Sequence, residues 1–378
     1  MKSHCKRSLT VIFFLVTTFN ASISMPSDTQ SPADGSIKSE SRKISTVEKT
    51  VLELLQNERI ADLTQSGILQ KQKPEISVSF LKNILFGNGL GESVSHKGIG
   101  IIGAIFNEEL DLENGEIKHQ LRLEKCQFKK KIDMRGVISR HGISFKDSTI
   151  QDSLILTSAK IGANLELDGG NFRFINAENT TVNGGLTMQG TKIHGHANLQ
   201  GIRLQNRLQM NNAEIFGQLK MKGSRIEGWL EMKGIIVTGD TDLESTLVNG
   251  DLVMDSGNFN QVNLAIADIR GRLLIHDAEF QALKTYGMEV KNAFRMKESK
   301  CKGKLHLQRA KIGSTLDLRK SIFLDDASIT GAKIAGDVYT DRAEFQKTLN
   351  MEGITTGGNL VSVRTGIQNS LILLINIA

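Results

Sequence analysis

Apolar residues recur in an eleven-residue pattern along most of the chain. Between positions 208 and 243, leucine, methionine, an aliphatic residue and glycine each return after eleven residues. The first two apolar positions of each block lie two residues apart, which is the spacing of a strand with one buried face. The pattern runs from Ile99 to the end of the chain, and only the blocks that begin at Leu165, Leu252 and Leu273 lose a residue. Internal repeats of this kind predict a solenoid.

An eleven-residue period also fits a right-handed helical supercoil, so a helical fold is the first alternative. The i, i+2 spacing does not suit a helix. A glycine in every block would also cost a helix about 1 kcal/mol each time. Short strands joined by Gly, Asn and Asp turns fit the pattern better and predict a parallel β-helix.

The third apolar position shows how many blocks make one coil. Phenylalanine stands there only in alternate blocks, while the other blocks carry aliphatic residues. Two blocks therefore make one coil of about 22 residues, with neighbouring strands about 4.8 Å apart. We predict an all-β solenoid, a right-handed parallel β-helix of about twelve coils, with a column of phenylalanine rings inside one wall. The phenylalanines are Phe106, Phe128, Phe172, Phe259, Phe280, Phe323 and Phe345.

Inward positions are spaced five and six residues apart in turn, with small residues such as Ala104, Ala159 and Ala213 two positions before the third apolar centre. This spacing resembles the pentapeptide-repeat family, whose small-x-apolar-x-x units build a four-sided right-handed β-helix. The sixth residue in every second unit departs from the family pattern and leaves a three-sided coil open. The resemblance covers residues 99–378 and implies a fold rather than an activity.

The first 43 residues predict two segments outside the solenoid. Residues 1–24 combine three early cations with an apolar stretch from Leu9 to Phe19 and small residues at Ser22 and Ser24. This is typical of a cleaved signal peptide; an uncleaved interfacial anchor is the alternative. Residues 25–43 are polar and lack any apolar period, which predicts a disordered linker. We therefore expect export, to the periplasm or the extracellular space.

Residues 44–98 predict a small helical cap ahead of a β-helix at residues 99–378. Ser45 and Glu48 have capping-box spacing, so a helix is expected from about Thr46 to Arg59. A second helix is expected from Glu75 to Phe86, because proline precedes it and glycine follows it. Such helices would cover the open edge of the first coil.

The run ISVSFLKNIL, the segment GIGIIGAIF and the later LRLEKCQF resemble a group of bacterial repeat proteins often labelled membrane-associated oxidoreductases. The resemblance implies a similar repeat architecture, and the label implies redox activity. Gly98, Gly100 and Gly103 also form G-x-G-x-x-G. A dinucleotide fingerprint needs a strand before it and a helix after it. Here the preceding residues are polar and the following ones keep the repeat, so we assign no cofactor.

Two cysteines fall at inward positions of the repeat. Cys126 stands at the small position and Cys301 in the phenylalanine column, about eight coils apart. A disulfide requires Cα atoms within about 7 Å, so both thiols are predicted to be free and buried.

Histidines give the pattern most like a site. His119 and His141 are 22 residues apart at a glycine corner, where they could stack near His96, and His194 and His196 flank Gly195. Stacked imidazoles could bind a metal, but no third ligand is evident, and exposed corner histidines are the alternative. No catalytic, cofactor-binding or metal-binding residue is therefore assigned.

The net charge and the regularity of the repeat limit the functions that are possible. The net charge is +6, of which Lys2, Lys6 and Arg7 supply three, leaving +3 over the rest of the chain without a basic stripe for nucleic acid. The regular blocks leave little room for the loops that usually build β-helix active sites. We expect an exported, non-enzymatic solenoid that serves as a scaffold or binding surface in the cell envelope, with an unknown protein or saccharide partner. The alternative is an envelope enzyme, either polysaccharide-active or the labelled oxidoreductase.

The last block keeps the repeat to the end of the chain. Leu371, Leu373 and Ile375 are apolar, which suggests end-to-end self-association through an exposed final coil. The alternatives are that this segment folds over the end as a plug, or that the reading frame is truncated.

Overall fold

The computed structural model of the chain describes residues 44–57, 60–65, 73–87 and 98–377. The predicted signal peptide, the predicted linker and His96 lie outside these residues. The structure is a parallel β-solenoid preceded by two short helices, as the sequence predicts.

Helix α1 spans Thr46–Gln56 and begins at the predicted capping box. The backbone N–H of Ser45 donates to Glu48 at 2.8 Å, and the Glu48 N–H donates to the Ser45 hydroxyl at 3.1 Å. The Glu48 carboxylate also accepts hydrogen bonds from the backbone and hydroxyl of Ser77. One acidic side chain thus joins the starts of both helices.

Helix α2 spans Val78–Phe86, so the prediction that it starts at Glu75 is wrong by three residues. The Ser77 hydroxyl accepts from the Phe80 N–H and caps the helix. Glu75 instead forms a parallel bridge with Ile105 of the first coil. Neither α1 nor α2, the two helices of the described residues, has the length and apolar character needed to cross a membrane.

The solenoid has four parallel ladders. The first ladder holds 14 strands and starts with Ala61–Asp62, a strand that the sequence analysis did not predict. The remaining thirteen strands give about thirteen coils, numbered here from Ile99. The strands of the first ladder are Ala61–Asp62, Ile99–Ile102, Leu121–Glu124, Ile143–Ser144, Leu165–Glu166, Leu186–Thr187, Leu208–Gln209, Leu230–Glu231, Leu252–Val253, Leu273–His276, Phe294–Lys297, Leu316–Asp317, Val338–Tyr339 and Leu360–Val361.

Three further ladders follow around each coil, so the coil is four-sided. The second consists of Ile105–Phe106, Gln127–Phe128, Thr149–Ile155, Asn171–Asn176, Lys192–Ile193, Glu214–Ile215, Ile236–Val237, Asn258–Asn263, Glu279–Lys284, Lys300–Cys301, Ile322–Phe323, Glu344–Phe345 and Gly366–Ile367. The third adds Leu110–Asp111, Ile132–Asp133, Ala197–Asn198, Leu219–Lys220, Thr241–Asp242, Leu305–His306, Ala327–Ser328, Leu349–Thr356 and Leu371–Ile377. The fourth adds Glu116–Ile117, Ile138–Ser139, Lys160–Ile161, Thr181–Val182, Arg203–Leu204, Arg225–Ile226, Leu247–Val248, Asp268–Ile269, Glu289–Val290, Lys311–Ile312 and Lys333–Ile334.

The phenylalanine column lies inside the second ladder, which confirms the prediction. Phe106 and Phe128 stack with ring centroids 4.7 Å apart and planes within 5°. The pairs Phe259–Phe280 and Phe323–Phe345 stack at 5.2 and 4.8 Å. All seven predicted rings are fully buried. One wall of the solenoid is therefore packed by aromatic contacts from coil to coil.

The three shortened blocks produce long strands at one corner. Asn171–Asn176, Asn258–Asn263 and Glu279–Lys284 each run through the corner between the second and third ladders. The missing residue is one that most other coils use to turn at that corner, whereas Thr149–Ile155 crosses the corner with the extra residue held in a bulge. A one-residue deletion thus changes which side chains face outward there, because side chains alternate along a strand.

The final coil exposes apolar side chains. Leu371–Ile377 pairs with Leu349–Thr356 and, among the described strands, with no other. Leu371, Ile372, Leu373 and Leu374 are 44–59% exposed. The side chain of Ile375 lies outside the described ones.

The aromatic column predicts a sharp difference between buried and exposed phenylalanines. Phe280→Ala should reduce the free energy of unfolding by about 3–5 kcal/mol, because it leaves a cavity above Phe259. Phe216→Ala should change it by less than about 0.5 kcal/mol, because that ring is 48% exposed. Urea denaturation followed by circular dichroism measures both. Equal losses in the two variants would contradict the column.

Candidate functional site

Four aromatic side chains meet on the outer surface at the corner between the second and third ladders. We call Phe174, His194, His196 and Phe216 the aromatic patch; they belong to coils 4, 5 and 6. Phe216 directly follows the buried Ile215, so its side chain points outward. The patch therefore exposes ring surface instead of burying it in the core.

The two histidines hold the phenylalanine rings in place. His194 stacks on Phe216 with centroids 5.6 Å apart and planes within 10°, while its Nε2 lies 2.8 Å from Asn171 Oδ1. His196 lies 6.2 Å from the Phe174 ring, and its Nδ1 accepts a hydrogen bond from the Gln218 backbone N–H at 2.9 Å. Since Nδ1 accepts, the neutral His196 ring carries its proton on Nε2.

Glycines of the repeat make room for these rings. A Cβ at Gly195 would lie 2.1 Å from the Phe174 ring, and one at Gly217 would lie 2.6 Å from His196 Nδ1. No side chain could be accommodated at either position without displacing a ring. The corner glycine that marks the repeat thus also shapes the aromatic patch.

Phe174 reaches the surface because its block is one residue short. It lies in the strand Asn171–Asn176, which crosses the corner without a turn. The Arg173 guanidinium lies 5.5 Å from the Phe174 ring centroid and adds a cation–π contact to the patch.

A polar groove continues from the patch along the third ladder. It encloses about 260 Å³, and its lining includes Gln218, whose backbone N–H donates to His196 of the patch. Its walls carry amide, carboxylate and ammonium groups. The two lysines balance the charge of the two aspartates. The lining residues are Gln200, Gln218, Lys220, Asp240, Thr241, Asp242, Gln261, Asn263 and Lys284.

Hydrogen bonds between coils orient the polar groups of the groove. Asn263 Nδ2 donates to Asp242 Oδ1 at 3.1 Å, and Asn260 Nδ2 donates to Asp240 Oδ1 at 2.9 Å. Beside the groove, the hydrogen bond from Lys222 holds the pKa of the Glu244 carboxyl below its ordinary value. The carboxylates are therefore fixed acceptors for a donor that enters the groove.

Asn176 and Asn198 stack in adjacent coils of the same ladder. Asn198 Nδ2 donates to Asn176 Oδ1 at 3.2 Å and lies 3.4 Å from Glu178 Oε2. These amides lie next to the patch in coils 4 and 5. The third ladder thus presents a row of amides on one side of Gln218 and the groove on the other.

His119 and His141 occupy equivalent corners of adjacent coils, because Ile117 pairs with Ser139 and Leu121 with Ile143. The Ser139 hydroxyl bonds the backbone of His141. Within residues 44–57, 60–65, 73–87 and 98–377, no three His, Cys, Asp or Glu side chains are grouped closely enough to hold a metal.

The G-x-G-x-x-G segment forms strand Ile99–Ile102, which another strand follows instead of a helix. A Cβ at Gly100 would lie 3.1 Å from Ile60, and one at Gly103 would lie 2.5 Å from Thr64. These glycines therefore allow residues 60–64 to pack closely against the first coil.

Sequence reasoning missed the outward phenylalanines. The signal was present in the sequence. Phe216 stands one position after the inward aliphatic residue of its block, and Phe174 is the last residue of a shortened block, directly before the inward Ile175. The repeat is strongest at inward positions, and neither outward phenylalanine belongs to it.

Both cysteines of the solenoid are free and buried, as predicted. Burial raises the pKa of each thiol to about 12. Cys301 lies between Phe280 and Phe323 in the aromatic column, and the Cys126 backbone N–H donates to the buried Ser148 hydroxyl. Reactive thiols need exposure and a lowered pKa, so these two are structural.

We therefore expect Cys126 and Cys301 to resist a thiol reagent in the folded chain at pH 8. A Cys5→Ser variant should show no labelling of the native protein and two labelled thiols after denaturation, because both groups stay protonated below a pKa of about 12. Mass spectrometry counts the modified residues. Rapid labelling of either thiol in the native state would contradict its burial.

Comparison with protein-family models, with curated proteins and with solved structures gives no match to this chain.

Proposed function

We propose that the chain is an exported, non-enzymatic solenoid that presents a binding surface in the cell envelope. The observation that carries this proposal is the exposed aromatic patch, which continues into the polar groove along one ladder. Thirteen regular coils hold both in fixed positions, so a ligand would lose little binding free energy to ordering of the protein.

The chemistry of this surface favours a saccharide over a protein as the partner. Aromatic faces such as that of Phe216 stack on the apolar C–H faces of sugar rings. The amides of Asn176, Asn198 and Gln218 can exchange hydrogen bonds with sugar hydroxyls, since each offers both donors and an acceptor. A small number of convergent polar groups beside an aromatic surface is typical of a ligand site.

Other parts of the proposal come from the sequence. Residues 1–24 support export to the periplasm or the extracellular space through their signal-peptide pattern. Four ladders per coil support kinship with the pentapeptide-repeat architecture. The oxidoreductase label gains no support from Gly100 and Gly103, whose close contacts with Ile60 and Thr64 give them a packing role.

An envelope enzyme acting on polysaccharide is the second candidate, and one observation favours it. Asp240 and Asp242 line the same groove, and paired carboxylates are the usual groups of glycoside hydrolysis. If the wild-type chain cleaves a bound glycan and neither Asp240→Asn nor Asp242→Asn does so, the enzyme replaces the binding surface as the function.

The binding proposal predicts that a glycan binds the chain and that its binding depends on Phe216. A glycan array of the full chain should give a hit whose affinity falls about thirtyfold in Phe216→Ala, because a central aromatic contact contributes about 2 kcal/mol. Tyr286→Ala is the matched control, since Tyr286 is 46% exposed at a different corner and should bind unchanged. Titration calorimetry measures both variants. Equal loss of affinity in both variants, or a glycan whose affinity does not depend on Phe216, would contradict the assignment of the aromatic patch as the binding site.

We also propose end-to-end self-association through Leu371, Leu373 and Ile375. The exposed side chains of Leu371 and Leu373 and the unpaired edge of the last described strand support it. Sedimentation velocity should show a dimer for the full chain and a monomer for Leu371→Lys/Leu373→Lys. Ile138→Lys, which alters an exposed side chain on the fourth ladder, should remain dimeric. A monomer in every case would rule out pairing through the final coil.

A further inference from the structure

Three basic residues stand one above another at a single corner near the last coils. Lys320, Arg342 and Arg364 occupy the same corner of coils 11, 12 and 13, immediately after the outward end of the first ladder. We call them the basic column. The three residues are 22 positions apart in the sequence, but sequence analysis did not identify the column.

Each residue of the basic column adopts an unfavourable backbone conformation. Their φ angles are 60°, 58° and 55°, in the left-handed region. Glycine, asparagine or aspartate stands at seven of the ten earlier corners of this row, and these residue types tolerate that region best. Long basic side chains in three successive coils therefore do not serve the turn itself. Backbone strain that is kept in this way points to a function outside the fold.

The column is also short of counter-charges. Lys320 Nζ lies 2.7 Å from Glu298 Oε1, whereas Arg342 and Arg364 make no ion pair with any residue that the structure describes. Adjacent strands are about 4.8 Å apart, so two exposed guanidinium groups repel each other across one coil step. A bound anion would relieve this repulsion.

A groove of about 550 Å³ lies beside the column and is positively charged. It is lined by five cations and two carboxylates, Glu298 and Asp341. Outside its lining, Asp317 holds two of the cations: Lys297 at 3.1 Å and Arg319 at 2.7 Å. Burial raises the pKa of Asp317, but the hydrogen bonds from Arg319 and Lys297 outweigh it and leave the pKa below its ordinary value. Asp317 thus stays charged, and Arg342 and Arg364 supply the uncompensated charge.

We propose that the basic column binds a linear carboxylated polysaccharide that lies along the solenoid axis. Arginine forks match carboxylates in a bidentate geometry, and a polyanion with one charge per sugar can meet successive coils in turn. A nucleic acid would need a longer basic stripe with interleaved aromatic side chains. This inference extends the proposed function to a second face of the solenoid and rests on its being a binding surface.

The test uses polygalacturonate as the probe and its methyl ester as the uncharged control ligand. The full chain should bind polygalacturonate, bind it more weakly as salt rises, and ignore the ester. Arg342→Gln/Arg364→Gln should lower the affinity at least about tenfold, since two charge-assisted hydrogen bonds are lost. Arg203→Gln/Arg225→Gln removes the same charge from a stacked pair on the fourth ladder and should bind as the wild type does.

Glycine variants separate binding from folding. Arg342→Gly/Arg364→Gly should bind as poorly as the glutamine pair, yet melt at a higher temperature than the wild type, because glycine relieves the left-handed backbone. A lower melting temperature in the glycine variant would mean that the arginines serve the fold, and it would overturn the proposal.

Other outcomes are equally decisive. Equal binding of the methyl ester, equal loss in the Arg203/Arg225 control, or tighter binding to anionic vesicles or a single-stranded oligonucleotide would overturn the polysaccharide assignment. If the chain does not bind polygalacturonate but still binds a glycan through Phe216, only the assignment of the basic column as a binding site is overturned. Hydrolysis of the polymer by the chain would instead overturn the non-enzymatic function.

Discussion

The structure depends on one constraint: every inward side chain must lie directly above its counterpart about 22 residues earlier. Phe280 illustrates it, with Phe259 below and Cys301 above in the same ladder. Stacked rings gain dispersion and aromatic contact from both neighbours, and the backbone of a strand in an inner coil is hydrogen-bonded on both sides. A coil in the middle of the solenoid therefore has no independent core, and its stability comes from adjacent coils.

The same register governs the outer surface. Lysines pair with carboxylates of the next coil, as in Lys146–Glu166 at 2.9 Å and Lys222–Glu244 at 2.9 Å. Exposed pairs of this kind contribute little to stability, about 0–1 kcal/mol each. Each such pair cancels a charge on one coil with an opposite charge on the next. Arg342 and Arg364 lack such a partner among the described residues, and they line a groove that holds five cations against two carboxylates.

The features that the repeat determines could be predicted from the sequence alone. The period, the buried phenylalanine column, the Ser45 capping box and the two free thiols all follow from spacing and alternation. The strand Ala61–Asp62 was missed because two residues carry no periodic signal, and α2 was started too early because Glu75 bridges Ile105. Four ladders per coil could not be settled either, since five- and six-residue spacings fit more than one cross-section.

The candidate sites were harder to predict for a physical reason. A repeat is recognised by what its blocks share, and those shared positions build the core. Binding needs side chains that depart from the pattern, and a departure at one position looks like noise until coordinates place it beside another. Phe174 and Phe216 are 42 residues apart in sequence, yet they share one corner through His196 and His194. Local choices that contradict the rest of a fold tend to mark functional positions. In this solenoid the exposed rings and the strained arginines are two such contradictions, and they lie on different faces, so each can be removed without disturbing the other.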